Sequence, residues 1–175
     1  MRLFVRLSLI GLVLLAAAGF WFNQKPAVTS LQPAIKVSDG QCAESGISLV
    51  VDFGALKDEI VSKCVEGFRG NSWNLLETAG FELAGTQKYP IGFVCRINKL
   101  PSEEVEKCIE TPGAKNGSWA FFLAGPDSTN WQYSTFGASS HKVKCGWAEG
   151  WRFLAPDDAL NTPPRVQPKI TNCEK

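Results

Sequence analysis

The sequence predicts an α+β domain: a small, mostly antiparallel sheet with one main helix and three disulfides. Short segments in which apolar and polar residues alternate recur along the chain, as is typical of strands. One main segment carries the three-and-four apolar spacing of a helix. Six cysteines follow an export-type leader, and an even number of cysteines in a small exported domain indicates a disulfide framework.

Composition and charge exclude several classes of function. The 175 residues fit one domain with extensions, and the apolar content of 45% is ordinary for a globular protein. The formal net charge of +1 includes Arg2 and Arg6 of the leader, which leaves −1 for the remainder. That balance gives no electrostatic footprint for nucleic acid. The cysteines form no Cys-x-x-Cys pair, so we expect neither a redox dithiol nor a metal site, and no cofactor.

The first 22 residues predict an export signal or an N-terminal membrane anchor. Arg2 and Arg6 precede an uncharged run from Leu7 to Phe22, and Ala16 to Ala18 offer a small-residue cleavage site. Aromatic residues extend the run beyond that site, as in an interfacial anchor. Both predictions place the rest of the chain outside the cytoplasm, either secreted or attached to the membrane.

A linker and a first hairpin are expected next. Residues 23–41 contain two prolines and no periodicity, which predicts a linker before a folded domain at 42–154. Alternation over Ile47–Phe53 predicts a strand that is half-buried on one face. Residues 59–65 predict its hairpin partner because they are rich in β-branched residues. A helix over residues 56–68 is the competing interpretation.

The main helix is predicted over Ser72–Ala79. Asn71 is a favourable N-cap, and Gly80 suits the position just after the last turn. Residues 81–89 and 91–97 then predict two further strands.

The segment Ser118–Tyr133 predicts an aromatic hairpin. Two aromatic runs are joined by a polar loop, and alternation places Trp119 and Phe121 on one face of the first run. It places Trp131 and Tyr133 on one face of the second. Such a hairpin either seals a core or exposes an aromatic surface.

The last strand is predicted over Cys145–Leu154. Alternation places Trp147, Glu149 and Trp151 on one face, and we expect Glu149 at the sheet edge or surface. His141 lies in a polar segment without carboxylates or cysteines at ligand spacing, which predicts a solvated side chain.

The cysteine positions predict the cross-links. One pair brackets a tight excursion between a strand and a helical turn, one returns the Pro-rich tail (155–175) to the last strand, and one follows by elimination. The tail pair closes a loop of ~30 residues, for which chain entropy gives ~3–4 kcal/mol. In that order, the predicted pairs are Cys95–Cys108, Cys145–Cys173 and Cys42–Cys64.

A set of ordered motifs carries a family resemblance. The motifs are VVDFG (50–54), Cys64, LLETAGF (75–81), GFVCRI (92–97), Pro101, Cys108, SWAFFLA (118–124), WQYSTFGA (131–138) and EGWRF (149–153). The chain from Cys42 to Leu154 resembles actinobacterial secreted or membrane-anchored proteins found beside vitamin-type importers. Their domain is similar to the C-terminal domain of transcobalamin and intrinsic factor. The chain differs in lacking the helical partner domain of transcobalamin.

The resemblance implies a β-grasp-like fold and a binding module outside the cell. It implies a cobalamin-like ligand and a vitamin importer, or another cell-envelope protein, as partner. Aromatic faces suit flat, partly apolar ligands, and they also fill cores. The candidate ligand-binding residues are Trp119, Trp131, Tyr133, Trp147 and Trp151.

The sequence also bears on two other classes of function, a protein-interaction domain and an enzyme. A cell-surface structural or protein-interaction domain, held on the linker, is the alternative, and it predicts an exposed apolar patch instead of a pocket. An enzyme is not expected, because a single histidine, bridged cysteines and the absence of a Gly-x-Ser-x-Gly motif leave no nucleophile–base pair.

Overall fold

The computed structural model describes residues 34–112 and 115–173. The predicted leader and residues 23–33 of the predicted linker lie outside the described residues. The elements in chain order are β1 (Lys36–Asp39), β2 (Ile47–Asp52), a 3-10 turn (Gly54–Leu56), β3 (Ile60–Glu66), α1 (Ser72–Thr78), β4 (Leu83–Ala84), β5 (Arg96–Ile97), β6 (Ser118–Ala124), β7 (Gln132–Tyr133) and β8 (Ala148–Leu154).

The main sheet has six strands in the order β1-β3-β2-β8-β6-β7. Its central pair, β2 and β8, is parallel, and the other neighbours are antiparallel. β4 and β5 form a separate two-stranded sheet. The α+β class is confirmed, as are the three predicted disulfides. β1 lies inside the predicted linker, so the folded part begins before Cys42.

The first hairpin and the helix form where the sequence predicts them. β3 pairs with β2 along its length, which excludes the competing helix over residues 56–68. At the start of α1, the Asn71 side chain accepts a hydrogen bond from the Asn74 backbone N–H at 2.9 Å. α1 buries Trp73, Leu75 and Leu76 against the front face of the sheet, where the main core lies.

β2 is buried on both faces, so the prediction of a half-buried strand is wrong. Its front-face residues, including Leu49 and Val51, join the main core under α1. Its back-face residues, including Val50 and Asp52, are also inaccessible to solvent. The sequence pattern marks only the first of these layers, because the second is an irregular segment.

That second layer is the C-terminal tail, which contacts the back face of the sheet at several points. The Trp131 indole N–H donates to the Val166 carbonyl at 2.7 Å. A Cβ at Gly150 of β8 would meet Pro164 at 2.9 Å, so glycine lets the tail approach closely. The Arg165 guanidinium forms a salt bridge with Asp52 at 2.9 Å. The predicted disulfide to Cys173 closes the tail.

The long strands predicted over residues 81–89 and 91–97 are wrong in extent. Only β4 and β5, with two residues each, pair there. The backbone folds back on itself at Thr86, whose N–H donates to the Tyr89 carbonyl at 3.1 Å. The buried apolar residues Phe81, Val94 and Ile97 of this segment join the main core instead.

Candidate functional site

A groove of about 480 Å³ lies where β6 and β7 meet the segment before β8. The polar loop after β6, the chain after β7 and Trp147 all contribute to its lining. The lining residues are Leu123, Gly125, Pro126, Asp127, Ser128, Gln132, Tyr133, Ser134, Thr135, Phe136 and Trp147.

Three aromatic residues line this groove. Tyr133 is 49% exposed and Phe136 is 57% exposed, while Trp147 is half-buried. Tyr133 is fixed by an edge-to-face contact with Phe122, at 5.6 Å between ring centroids. A Cβ at Gly125 would lie 3.0 Å from the Trp147 ring, so glycine allows the loop to pack against the indole.

Five of the eleven residues that line the groove are polar, and two of them are Gln132 and Thr135. Among its lining residues, all within the described part of the chain, Asp127 is the only charged one. The Ser128 hydroxyl donates to the Asn130 carbonyl, and the Ser134 hydroxyl donates to the Phe136 carbonyl. These two serines shape the walls, whereas the exposed Asp127 carboxylate is available to a ligand.

His141 lies beneath two of these rings. It is 8% exposed, so the prediction of a solvated side chain is wrong. The centroid of its ring lies 5.8 Å from the ring centroid of Phe136, 5.8 Å from that of Phe121 and 6.4 Å from that of Trp147. Burial, with a contribution from the Lys144 charge, lowers the pKa of His141. The imidazole is therefore neutral at physiological pH.

Glu149 is the buried neighbour of this histidine. Its carboxyl is inaccessible to solvent, so the expectation of a surface or edge position is wrong: β8 lies inside the sheet, between β2 and β6. The carboxyl oxygen lies 3.5 Å from His141 Nε2 and accepts a hydrogen bond from the Ser72 hydroxyl at 3.0 Å. Burial outweighs that hydrogen bond and raises the pKa of Glu149 to about 8.

The arrangement of these three residues differs from that of an activated nucleophile. In a serine–histidine–carboxylate triad the histidine lies between the other two groups, whereas here the Glu149 carboxyl lies between Ser72 and His141. Ser72 is also fully buried. The cluster is therefore a buried polar network at the start of α1.

The five sequence-predicted ligand residues occupy three environments. Trp119 and Trp151 belong to the core: the Trp119 N–H donates to the Leu100 carbonyl at 3.0 Å, and Trp151 stacks on Phe121 at 4.5 Å. Both still border a crevice of about 100 Å³. Trp131 lies on the back face under the tail. Tyr133 and Trp147 line the groove together.

Sequence reasoning missed Phe136 and Asp127. Phe136 is the one aromatic residue in the small, polar segment 134–140, and this isolation is the only feature of the sequence that distinguishes it. Asp127 belongs to the turn that joins β6 and β7. No periodicity marks either position as part of a groove.

The chemistry of one further cluster excludes a metal site there. Ligand atoms of Cys95, Glu106 and Cys108 lie within 4.8 Å of one another. The two sulfurs form a disulfide, and the Glu106 carboxylate accepts hydrogen bonds from the Cys108 N–H and the Asn116 amide. A disulfide provides no thiolate for a metal ion.

The comparisons with known proteins give no match: no family model, no curated protein and no solved structure resembles the chain significantly. Within residues 34–112 and 115–173, no helix has the length and apolarity needed to cross a membrane.

Proposed function

We propose that the protein is a non-enzymatic ligand-binding module that acts outside the cytoplasm, with the groove as its site. The observation that carries this proposal is a 480 Å³ groove bounded by Tyr133, Phe136 and Trp147. Small-molecule sites have volumes of roughly 300–1,000 Å³ and are lined mainly by apolar and aromatic side chains with a few polar groups. The groove lies within this range of volumes and has three aromatic side chains in its lining.

The disulfides support an extracytoplasmic location. Six of six cysteines are paired, which suggests an oxidising compartment. We propose that the segment 1–22 directs export and either is cleaved or anchors the domain to the membrane.

The strand connectivity supports a β-grasp-like fold. The β2–β3 hairpin is followed by α1, and α1 by the antiparallel pair β6–β8, with β2 and β8 parallel at the centre. Two antiparallel pairs joined through a helix, with the first and last strands parallel at the centre, are the β-grasp arrangement. This extends the resemblance to the transcobalamin-type domain, and it makes a cobalamin-like ligand and a vitamin importer the first candidates.

The size of the groove bears on that ligand. A corrinoid is larger than 480 Å³, so one copy of this domain covers only part of it. An accessory role, in which the domain presents the ligand to an importer, accommodates this shortfall. We therefore expect a corrinoid to bind weakly to the isolated domain.

Titration of cobalamin and related corrinoids, followed by tryptophan fluorescence, tests the proposal. We expect saturable quenching, and a dissociation constant about tenfold higher in Tyr133→Ala, since that side chain lines the groove. Tyr89→Ala is the matched control, because Tyr89 is 48% exposed and lies outside the lining. Absence of quenching at high micromolar corrinoid would exclude this ligand class, and equal loss in both variants would exclude the groove.

One observation favours a protein-interaction domain as a second candidate. Ile91 is 68% exposed and Phe136 is 57% exposed, and their segments are joined by the hydrogen bond from the Ala138 N–H to the Gly92 carbonyl. Exposed apolar residues on adjacent segments are typical of protein contacts. Under this proposal, Ile91→Ser abolishes partner binding while small-molecule binding is unchanged.

A further inference from the structure

We propose that the groove binds the ammonium group of a small cationic solute by cation–π contact. This inference rests on the groove being a ligand site, and it names a ligand class that the family resemblance does not imply. The three ring-bearing residues Tyr133, Phe136 and Trp147 all line the same 480 Å³ space. Several aromatic faces around one space are the arrangement that recognises quaternary ammonium groups.

The charge of the lining favours a cation. Asp127 is its only charged residue, and no lysine or arginine is among the lining residues, all of which lie in the described part of the chain. The histidine beneath the rings is buried and adds no positive charge when neutral. The lining therefore carries one negative charge and three aromatic side chains, which favours an alkylammonium ion over an anion, and the Lys144 ammonium outside the lining offsets part of that charge.

The chain itself places an ammonium over one of these rings. The Lys144 ammonium lies 4.7 Å from the Trp147 ring centroid, within the range of a cation–π contact. Lys144 is exposed and is not part of the lining. This contact has the geometry that we infer for the ligand, and the Lys144 charge opposes a second cation nearby.

The same lining selects a free solute over a lipid headgroup. A phosphocholine headgroup carries a phosphate next to its ammonium. That phosphate would meet the Asp127 carboxylate, whereas the Lys144 ammonium lies over the Trp147 ring outside the lining. We therefore infer a soluble alkylammonium ion without an attached phosphate.

The experiment compares choline, its neutral isostere 3,3-dimethylbutan-1-ol and phosphocholine by calorimetric titration of the exported chain. We expect saturable choline binding and at least about tenfold weaker binding of the isostere, because only the charge differs. Phosphocholine is expected to bind more weakly than choline. Equal or tighter binding of the isostere or of phosphocholine, or no binding of choline at millimolar concentration, overturns the inference.

Variants test which residues are responsible. Trp147→Leu and Asp127→Asn are each expected to weaken choline binding about three- to tenfold. Asp157→Asn, an exposed carboxylate in the tail, is the matched control and should change nothing. Lys144→Gln should strengthen choline binding, and weaker binding in that variant contradicts the inference. If corrinoids bind and choline does not, the proposed function survives and this inference fails; if neither binds, both fail.

Discussion

Burial determines the protonation state of the Glu149 carboxyl, and this makes folding stability depend on pH. Burial raises the pKa of Glu149 to about 8, so the folded carboxyl keeps a proton that the unfolded chain releases near pH 4.5. The free energy of unfolding therefore falls as the pH rises from about 4.5 to 8. Burial lowers the pKa of His141, so the contribution of His141 to the pH dependence of stability has the opposite sign. That contribution acts only below its ordinary pKa of 6.5.

The window from pH 6.5 to 8 consequently isolates the carboxyl. We expect stability to fall there by up to about 1.4 kcal/mol per pH unit, measured by urea denaturation. Glu149→Gln should remove the slope, because the amide is neutral at every pH in the window. Glu44→Gln, an exposed control, should behave like the original chain. An unchanged slope in Glu149→Gln would contradict the assignment.

Asp52 provides a second prediction at the scale of single residues. Burial alone would raise its pKa, but hydrogen bonds from the Arg165 side chain and backbone outweigh that effect and hold it below the usual value. Arg165→Ala leaves a buried carboxylate with weaker partners, which costs about 1–3 kcal/mol in urea denaturation. Arg69→Ala, at an exposed position, should stay within about 0.5 kcal/mol of the original chain. If Arg165→Ala also lowers the free energy of unfolding by less than about 0.5 kcal/mol, the salt bridge is not stabilising.

At the scale of elements, apolar periodicity predicted the helix and the strands that have a face buried by other regular structure. β2, β3 and α1 all lie within about two residues of their predicted bounds, and β6 lies in the first run of the predicted aromatic hairpin. Periodicity reports a face that is buried by regular structure, and for this reason it identified the front face of β2 and missed its back face. The tail covers the back face with prolines and side-chain hydrogen bonds, which leave no repeating pattern.

The site was predictable only in part for the same reason. Trp147 and Tyr133 were identified from residue type, but so were Trp119 and Trp151, which fill the core. An aromatic residue in an alternating strand is consistent with either position until the covering layer is known. Phe136 lies in a segment without periodicity, so only its isolation among small residues distinguishes it.

At the scale of the whole molecule, the tail is both a structural layer and a cross-linked loop. Its disulfide, Cys145–Cys173, spans 28 residues, and the tail holds the Trp131 indole through the Val166 carbonyl. Breaking the bond therefore releases chain entropy in the unfolded state and loosens the layer over β8 in the folded state. Both effects are measurable.

Replacing Cys145 and Cys173 by alanine should lower the free energy of unfolding by about 3–4 kcal/mol. It should also raise the quenching of Trp131 by acrylamide, because the tail no longer shields the indole. Replacing Cys95 and Cys108, whose loop spans 13 residues, is the matched control: it should cost about 3 kcal/mol and leave Trp131 shielded. A tail variant that loses stability without exposing Trp131 would mean that hydrogen bonds and packing, not the disulfide, keep the tail on the sheet.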